Sequence, residues 1–175
     1  MIISANDLLS MPEFTGCSAD KLNDKVLAIE QLVRVYTNNN FQNRSIRLIA
    51  NVVDGLLTES CPYLKVGDTV QISQSKVNDG LYVVMGITDK GICVNKQLYD
   101  TPYNLVTKVE YPDDIKIGVI ELMKWEIKNR DKIGIKSETL SRHSVTYYDQ
   151  DANNQVMGYP VSLLGFLQPY KKARF

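Results

Sequence analysis

The sequence predicts an α+β protein. Its body is helical, with two long helices, a strand and a short C-terminal helix. An antiparallel sheet or small barrel is inserted between the long helices. Three observations carry that reading. In two separate stretches apolar residues recur every three or four positions, as on one face of a helix. Between them the period drops to two, and Gly, Asp and Asn punctuate the run. The 175 residues are 44% apolar and 23% charged, the composition of an ordinary globular domain and not of a disordered chain.

Taken in order, the stretch to Thr15 reads as irregular, because Pro12 and Gly16 break it. Ser18 then offers an N-cap, and Asp20 puts a carboxylate in the first turn, where the helix dipole favours it. Leu22, Val26, Ile29, Val33 and Tyr36 form one narrow stripe, so a helix is expected from about Ala19 to Tyr36, with Glu30 and Arg34 four apart in the favourable order. Asn38-Asn39-Asn40 ends it.

After Phe41 the pattern is that of strands. Arg44 to Asn51 places Ile46 and Leu48 on one face; Thr69 to Ile72, Leu81 to Met85, Ile92 to Val94 and Leu105 to Tyr111 read as four more strands. Asn78-Asp79-Gly80 and Asp89-Lys90-Gly91 are the expected turns, each ending in a Gly that can supply positive φ. The β module is placed at residues 43–110 and the helical body with its tail at 1–42 and 111–175. Pro112-Asp113-Asp114 starts the second long helix. Its expected apolar face is Ile115, Val119, Leu122, Met123 and Ile127, with Trp125 at the margin and an end near Ile133, before Gly134. Ser137 to Ser141 follows. His143 to Tyr148 reads as a strand, and Asp149 to Asn154 as a polar loop. Tyr159-Pro160 opens a short helix through Leu167, which Pro169 stops.

Several function classes find little support. With 20 Lys+Arg and 20 Asp+Glu the net charge is zero, which argues against nucleic-acid binding through bulk charge. No apolar run approaches a membrane span, and the N-terminus lacks the basic start of a secretory signal. Cys17, Cys61 and Cys93 are far apart and His143 is the single histidine, so no zinc site is expected; free thiols suit a reducing compartment. Ser141 and His143 come without a nucleophile-elbow motif, and no phosphate-binding loop or dinucleotide fingerprint is present. No cofactor and no enzymatic activity are expected.

Two local features point toward partners. Lys124, Lys128 and Lys132 lie four residues apart on the polar side of the second long helix. Such a stripe is ordinarily a solvated face, and its functional alternative is a surface facing a polyanion or an acidic partner. From Tyr159 to Phe175 there are three basic residues and no acidic one, and Tyr170, Arg174 and Phe175 are types enriched at interfaces. The tail is expected either to fray or to order on a partner. The barrel also carries Tyr63, Tyr82, Tyr99, Tyr103 and Tyr111. Across 44–110, however, seven basic residues are balanced by seven acidic ones, so a structural sheet is favoured over a strand-binding one.

The chain resembles the head–tail connector (adaptor, or head-completion) proteins of tailed bacteriophages. The resemblance lies in the opening helix, the Pro112-Asp113-Asp114 helix, Lys136-Ser137-Glu138-Thr139-Leu140-Ser141, Ser144-Val145-Thr146-Tyr147-Tyr148 and the closing Leu167-Gln168-Pro169-Tyr170-Lys171-Lys172-Ala173-Arg174-Phe175. It covers residues 1–42 and 111–175. The central sheet departs from the simplest connectors, which join the helices by a short link. The resemblance implies a connector-like body that assembles into a homo-oligomeric ring, commonly a dodecamer. The ring docks under the portal protein, extends the DNA channel and offers a platform to a stopper or tail-terminator protein. It implies a virion neck location after synthesis in the host bacterial cytoplasm, with no membrane and only non-specific contact with packaged DNA. It makes Tyr170, Lys171, Lys172, Ala173, Arg174 and Phe175 candidates for the portal interface. Lys124, Lys128 and Lys132 become candidates for the channel wall or an acidic neighbour. The alternatives are another neck or tail-completion component, stopper-like in kind, and a small nucleic-acid-binding barrel.

Overall fold

The Ser4 hydroxyl accepts a hydrogen bond from the Asp7 N–H at 3.1 Å and starts a helix, α1 (Ala5–Leu9). This corrects the irregular reading of the N-terminus: five residues are too few for a helical period to register. Leu8 of α1 and Phe14, on a 3₁₀ turn at Pro12–Phe14, are fully buried. Helix α2 (Ala19–Thr37) follows and buries Leu22, Val26, Ile29 and Val33. It stops at Asn38, whose φ of 49° is the left-handed C-cap conformation and whose N–H reaches the Val35 carbonyl at 3.3 Å.

The computed structural model describes residues 1–129, 137–140, 143–146 and 155–173. In it the chain divides into two compact units. One comprises Ile2–Asn39 and Pro112–Phe175, the other Met1 and Asn40–Tyr111.

In the helical unit α3 (Asp113–Asn129) starts directly after Pro112 and buries Ile115, Gly118, Val119, Leu122, Met123 and Glu126. The expected apolar face included Ile127, which is instead exposed. At about 100° per residue the line through 115, 119 and 122 continues to 126, not 127. Glu126 therefore turns inward, and its carboxylate meets the Lys25 ammonium of α2 at 2.7 Å. The expected end near Ile133 and Gly134 lies outside the described residues. Strands β7 (Ser137–Leu140) and β8 (His143–Thr146) pair antiparallel, with Leu140 opposite His143. Tyr147 and Tyr148, expected to extend β8, lie outside the described residues, as do Ser141 and the Asp149–Asn154 loop.

Tyr159-Pro160 leads into the expected short helix: Pro160 is the N-cap of a 3₁₀ helix that runs Val161–Tyr170. The same two residues form β10 (Tyr159–Pro160), paired with β9 (Gln155–Val156). Pro169 does not stop that helix, because the fixed proline φ fits 3₁₀ geometry. Leu164 and Leu167 are its buried anchors. Gly118 makes room for it: a Cβ there would overlap the Phe166 ring.

The second unit is a closed barrel of six strands in the order β1-β2-β5-β4-β3-β6. They are β1 (Gln42–Val53), β2 (Leu56–Leu57), β3 (Thr69–Ser73), β4 (Gly80–Thr88), β5 (Gly91–Val94) and β6 (Thr101–Val109). Two-residue β2 had no periodicity to betray it. Closure leaves no free sheet edge. Register shifts in β1 and β4 bend the strands enough to close the sheet. Inside lie Val52, Leu57, Val70, Ile72, Val84, Ile92 and Val106, with Ile46 and Leu48 packed against them. Gln42 pairs with Val109, so the chain enters and leaves the barrel at one end. There the Phe41 and Tyr111 rings meet at a tilt of 41° with centroids 4.9 Å apart, and the Lys108 ammonium bridges Asp68 and Glu110 at 3.0 and 3.3 Å.

The Asp89-Lys90-Gly91 turn forms as expected. At φ 143°, with a Cβ that would strike the Leu57 carbonyl, position 91 admits only Gly. The Asn78-Asp79-Gly80 turn does not form in that way. Gly80 is already in β4, and the positive φ of the β3–β4 connection belongs to Gln74, at 59°.

Candidate partner-binding surface

The C-terminal segment was expected either to fray or to await a partner. As far as Ala173 it is not frayed: it lies along the end of its own α2. The Lys172 N–H donates to the Thr37 carbonyl at 2.8 Å, supplying one of the partners that a helix C-terminus lacks. Asn38 Nδ2 donates to the Ala173 carbonyl at 2.9 Å, and Asn39 Nδ2 to the Tyr170 carbonyl at 3.3 Å. Gln168 Nε2 reaches the Tyr36 hydroxyl at 3.2 Å.

Two of the six tail candidates are held by their side chains. The Tyr170 hydroxyl donates to the Asp114 carboxylate, with 2.7 and 2.8 Å to its two oxygens. That bond, followed by partial burial and the carboxylate charge, holds the Tyr170 hydroxyl above the usual phenol range. The Lys171 ammonium sits 3.9 Å from the centre of the Tyr36 ring. Lys171, Lys172 and Ala173 are otherwise solvent-facing. Arg174 and Phe175 lie outside the described residues.

The lysine stripe is divided. Lys124 bridges Glu13 at 3.0 Å and Glu121 at 3.1 Å, fastening the N-terminal 3₁₀ turn to α3. Its hydrogen bonds to Glu13 and Glu121 raise its pKa, and the same contact with Lys124 lowers that of Glu13. Lys128 is exposed one turn further on, and Lys132 lies outside the described residues.

The barrel tyrosines do not share a face. Tyr82 and Tyr111 are buried, whereas Tyr63, Tyr99 and Tyr103 are exposed. Opposite the end where the chain enters, three connections converge: the β1–β2 turn, the β3–β4 loop and the β5–β6 loop. Val53, Val77, Tyr99 and Tyr103 are exposed there, among Asp54, Asp79 and Asp100. Asp54, Gln74 and Tyr103 all have positive φ. Beneath them Asn78 is buried: its Nδ2 donates to the Tyr99 carbonyl and Thr101 hydroxyl at 2.8 Å each, and its Oδ1 accepts from the Tyr99 N–H at 2.9 Å. Asn104 Nδ2 donates to the Ala50 and Thr101 carbonyls at 3.1 and 2.9 Å. The Tyr82 hydroxyl closes the network on the Asn78 carbonyl at 2.9 Å, and burial, then Asp79, raises its pKa.

Cys17 and Cys61 are partly buried and Cys93 is exposed, all three as free thiols. Among the described residues no group of three or more His, Cys, Asp or Glu is placed to hold a metal ion, and no helix is long and apolar enough to cross a membrane. No protein-family model matches the chain, and a search of curated proteins returned no match.

As partners of the tail, Tyr36, Asn38, Asn39 and Asp114 escaped the sequence reading. Asn38 and Ala173 are 135 positions apart, and nothing local in either marks the contact.

Proposed function

We propose that this chain is a virion structural protein of a tailed bacteriophage, an adaptor subunit that assembles into a ring between portal and tail and catalyses nothing. The ring would lengthen the DNA channel and present a platform to a stopper or tail terminator. One observation supports this reading above the others. The basic tail is laid in a defined course over the end of α2, with Lys171 and Lys172 facing solvent on a body whose elements follow the connector-like order. Its basic side chains mark one place on the body where an acidic partner can approach.

In this reading Tyr170 to Phe175 meet the portal, with the aromatic residues as anchors and Lys171, Lys172 and Arg174 supplying charge complementarity. Subunits meet each other through two unlike surfaces, the kind of contact that closes under rotation. Lys128 is the member of the stripe most available to packaged DNA or an acidic neighbour, since Lys124 is already paired. Nucleic-acid recognition by the barrel is disfavoured, because Asp54, Asp79 and Asp100 stand around the exposed Tyr99 and Tyr103 and would repel phosphates.

The test is electron microscopy of the full chain mixed with the portal protein of the same virion, compared with a chain lacking Tyr170–Phe175. The full chain should decorate the portal as a ring and the truncated chain should not. Equal decoration by both would remove the tail from the interface, and no decoration by either would remove the adaptor reading.

A further inference from the structure

We infer that Gln168–Ala173 is a latch, closed over the helical unit in the free subunit and withholding the groups that a partner must engage. The inference deepens the proposed function and rests on its reading of the tail as the docking segment. It starts from the contacts just described. The Tyr170 hydroxyl and the Lys171 ammonium, two of the recognition groups of the described tail, are committed within the chain, to Asp114 and to the Tyr36 ring, while the Lys172 side chain faces solvent. The backbone from Tyr170 to Ala173 is committed as well, to Asn39, Thr37 and Asn38.

What holds the segment differs in kind from what holds the helix before it. Leu164 and Leu167 are fully buried, and beyond Leu167 no side chain of the described tail is buried. The latch is therefore closed by polar contacts at the surface. Water replaces such bonds when they break, so each has a small net value, and a solvent-exposed cation–π contact adds little. Opening costs only the partial burial of Tyr170, and the anchors behind it confine the movement to the last turn, around Gln168 and Pro169. A two-state element with a small gap is what a partner can shift. A surface that offers an acceptor to the Tyr170 hydroxyl and a carboxylate or aromatic ring to Lys171 competes directly with Asp114 and Tyr36.

Amide hydrogen exchange on the intact chain alone tests this. The Lys172 N–H, bonded to Thr37, should exchange roughly 10- to 100-fold more slowly than in an open chain, yet much faster than the α2 core amides, because it opens without global unfolding. The pair Tyr36→Leu and Asp114→Asn alters only the receiving side. It should cut that protection at least about fivefold and speed tryptic cleavage after Lys171 and Lys172 to match, while the core amides of α2 hold as an internal control. If α2 itself is disturbed, Tyr170→Phe makes the same comparison from the tail side.

An unprotected Lys172 amide in the wild type would overturn the latch. So would one as slow as the α2 core, or protection that the variants leave unchanged. Because these measurements need no portal, their failure is separate from failure of the docking reading, which rests on the truncated chain.

Discussion

Asn78 and Thr69 show how much a single buried polar group can decide. Asn78 uses both ends of its amide to tie the β3–β4 loop to the β5–β6 loop. Asn78→Ala would leave the Tyr99 N–H without its partner and the Tyr99 carbonyl with the Thr101 hydroxyl alone, and should destabilise the chain by ~2 kcal/mol in urea unfolding. Asn78→Asp should cost more, about 3 kcal/mol at neutral pH, because a carboxylate would face the Tyr99 carbonyl where an amide now donates. Part of that extra loss should return at acid pH. Thr69 is the opposite case. Its hydroxyl is buried with no hydrogen-bond partner among the described residues. Thr69→Val keeps the β-branched shape and removes the unmet group, so it should raise stability by about 1 kcal/mol in the same assay. A loss on Thr69→Val would mean that the hydroxyl has a bonding role.

The same contrast recurs between elements. The N-terminal 3₁₀ turn is fastened to α3 by Glu13 and Lys124, with Glu121 sharing the ammonium. Glu13 has a lowered pKa when folded, so its contribution is present above the unfolded carboxylate range and fades as pH falls through the folded value. Lys124 has a raised pKa, so its contribution is complete below the unfolded lysine range and is lost as pH rises through the folded one. Thermal unfolding of Glu13→Gln against wild type should show a difference at neutral pH that shrinks as pH falls below the ordinary carboxylate range. Elements with a sustained period were legible in advance: α2, α3 and five of the six barrel strands announce themselves through spacing and β-branched content. Those that stayed hidden have physical reasons. Helix α1 and β2 are too short to show a period, and the Lys25 ammonium that makes an inward carboxylate at Glu126 tolerable lies 101 positions away. The tail's place on α2 rests on contacts between residues far apart in the chain, such as Asn38 and Ala173, 135 positions apart, so its residues were legible as a basic, interface-like stretch but not as a folded one.

At the scale of the whole molecule, the two units differ in what completes them. The barrel contains its own core and has no free edge, while the helical unit is made of two separated lengths of chain. Replacing Gln42–Val109 with a short Gly-Ser linker should therefore leave a helical chain that still melts cooperatively by circular dichroism, because shortening a loop between fixed ends changes closure entropy by only ~2 kcal/mol or less. Loss of the cooperative transition would show that the helical unit needs the barrel in order to fold. The pairing of Gln42 with Val109 has a consequence for ancestry as well. A segment whose first and last residues lie side by side can be gained, lost or traded by recombination without rearranging its host. Chains descended from a common helical framework can then diverge most in what they carry at this one junction.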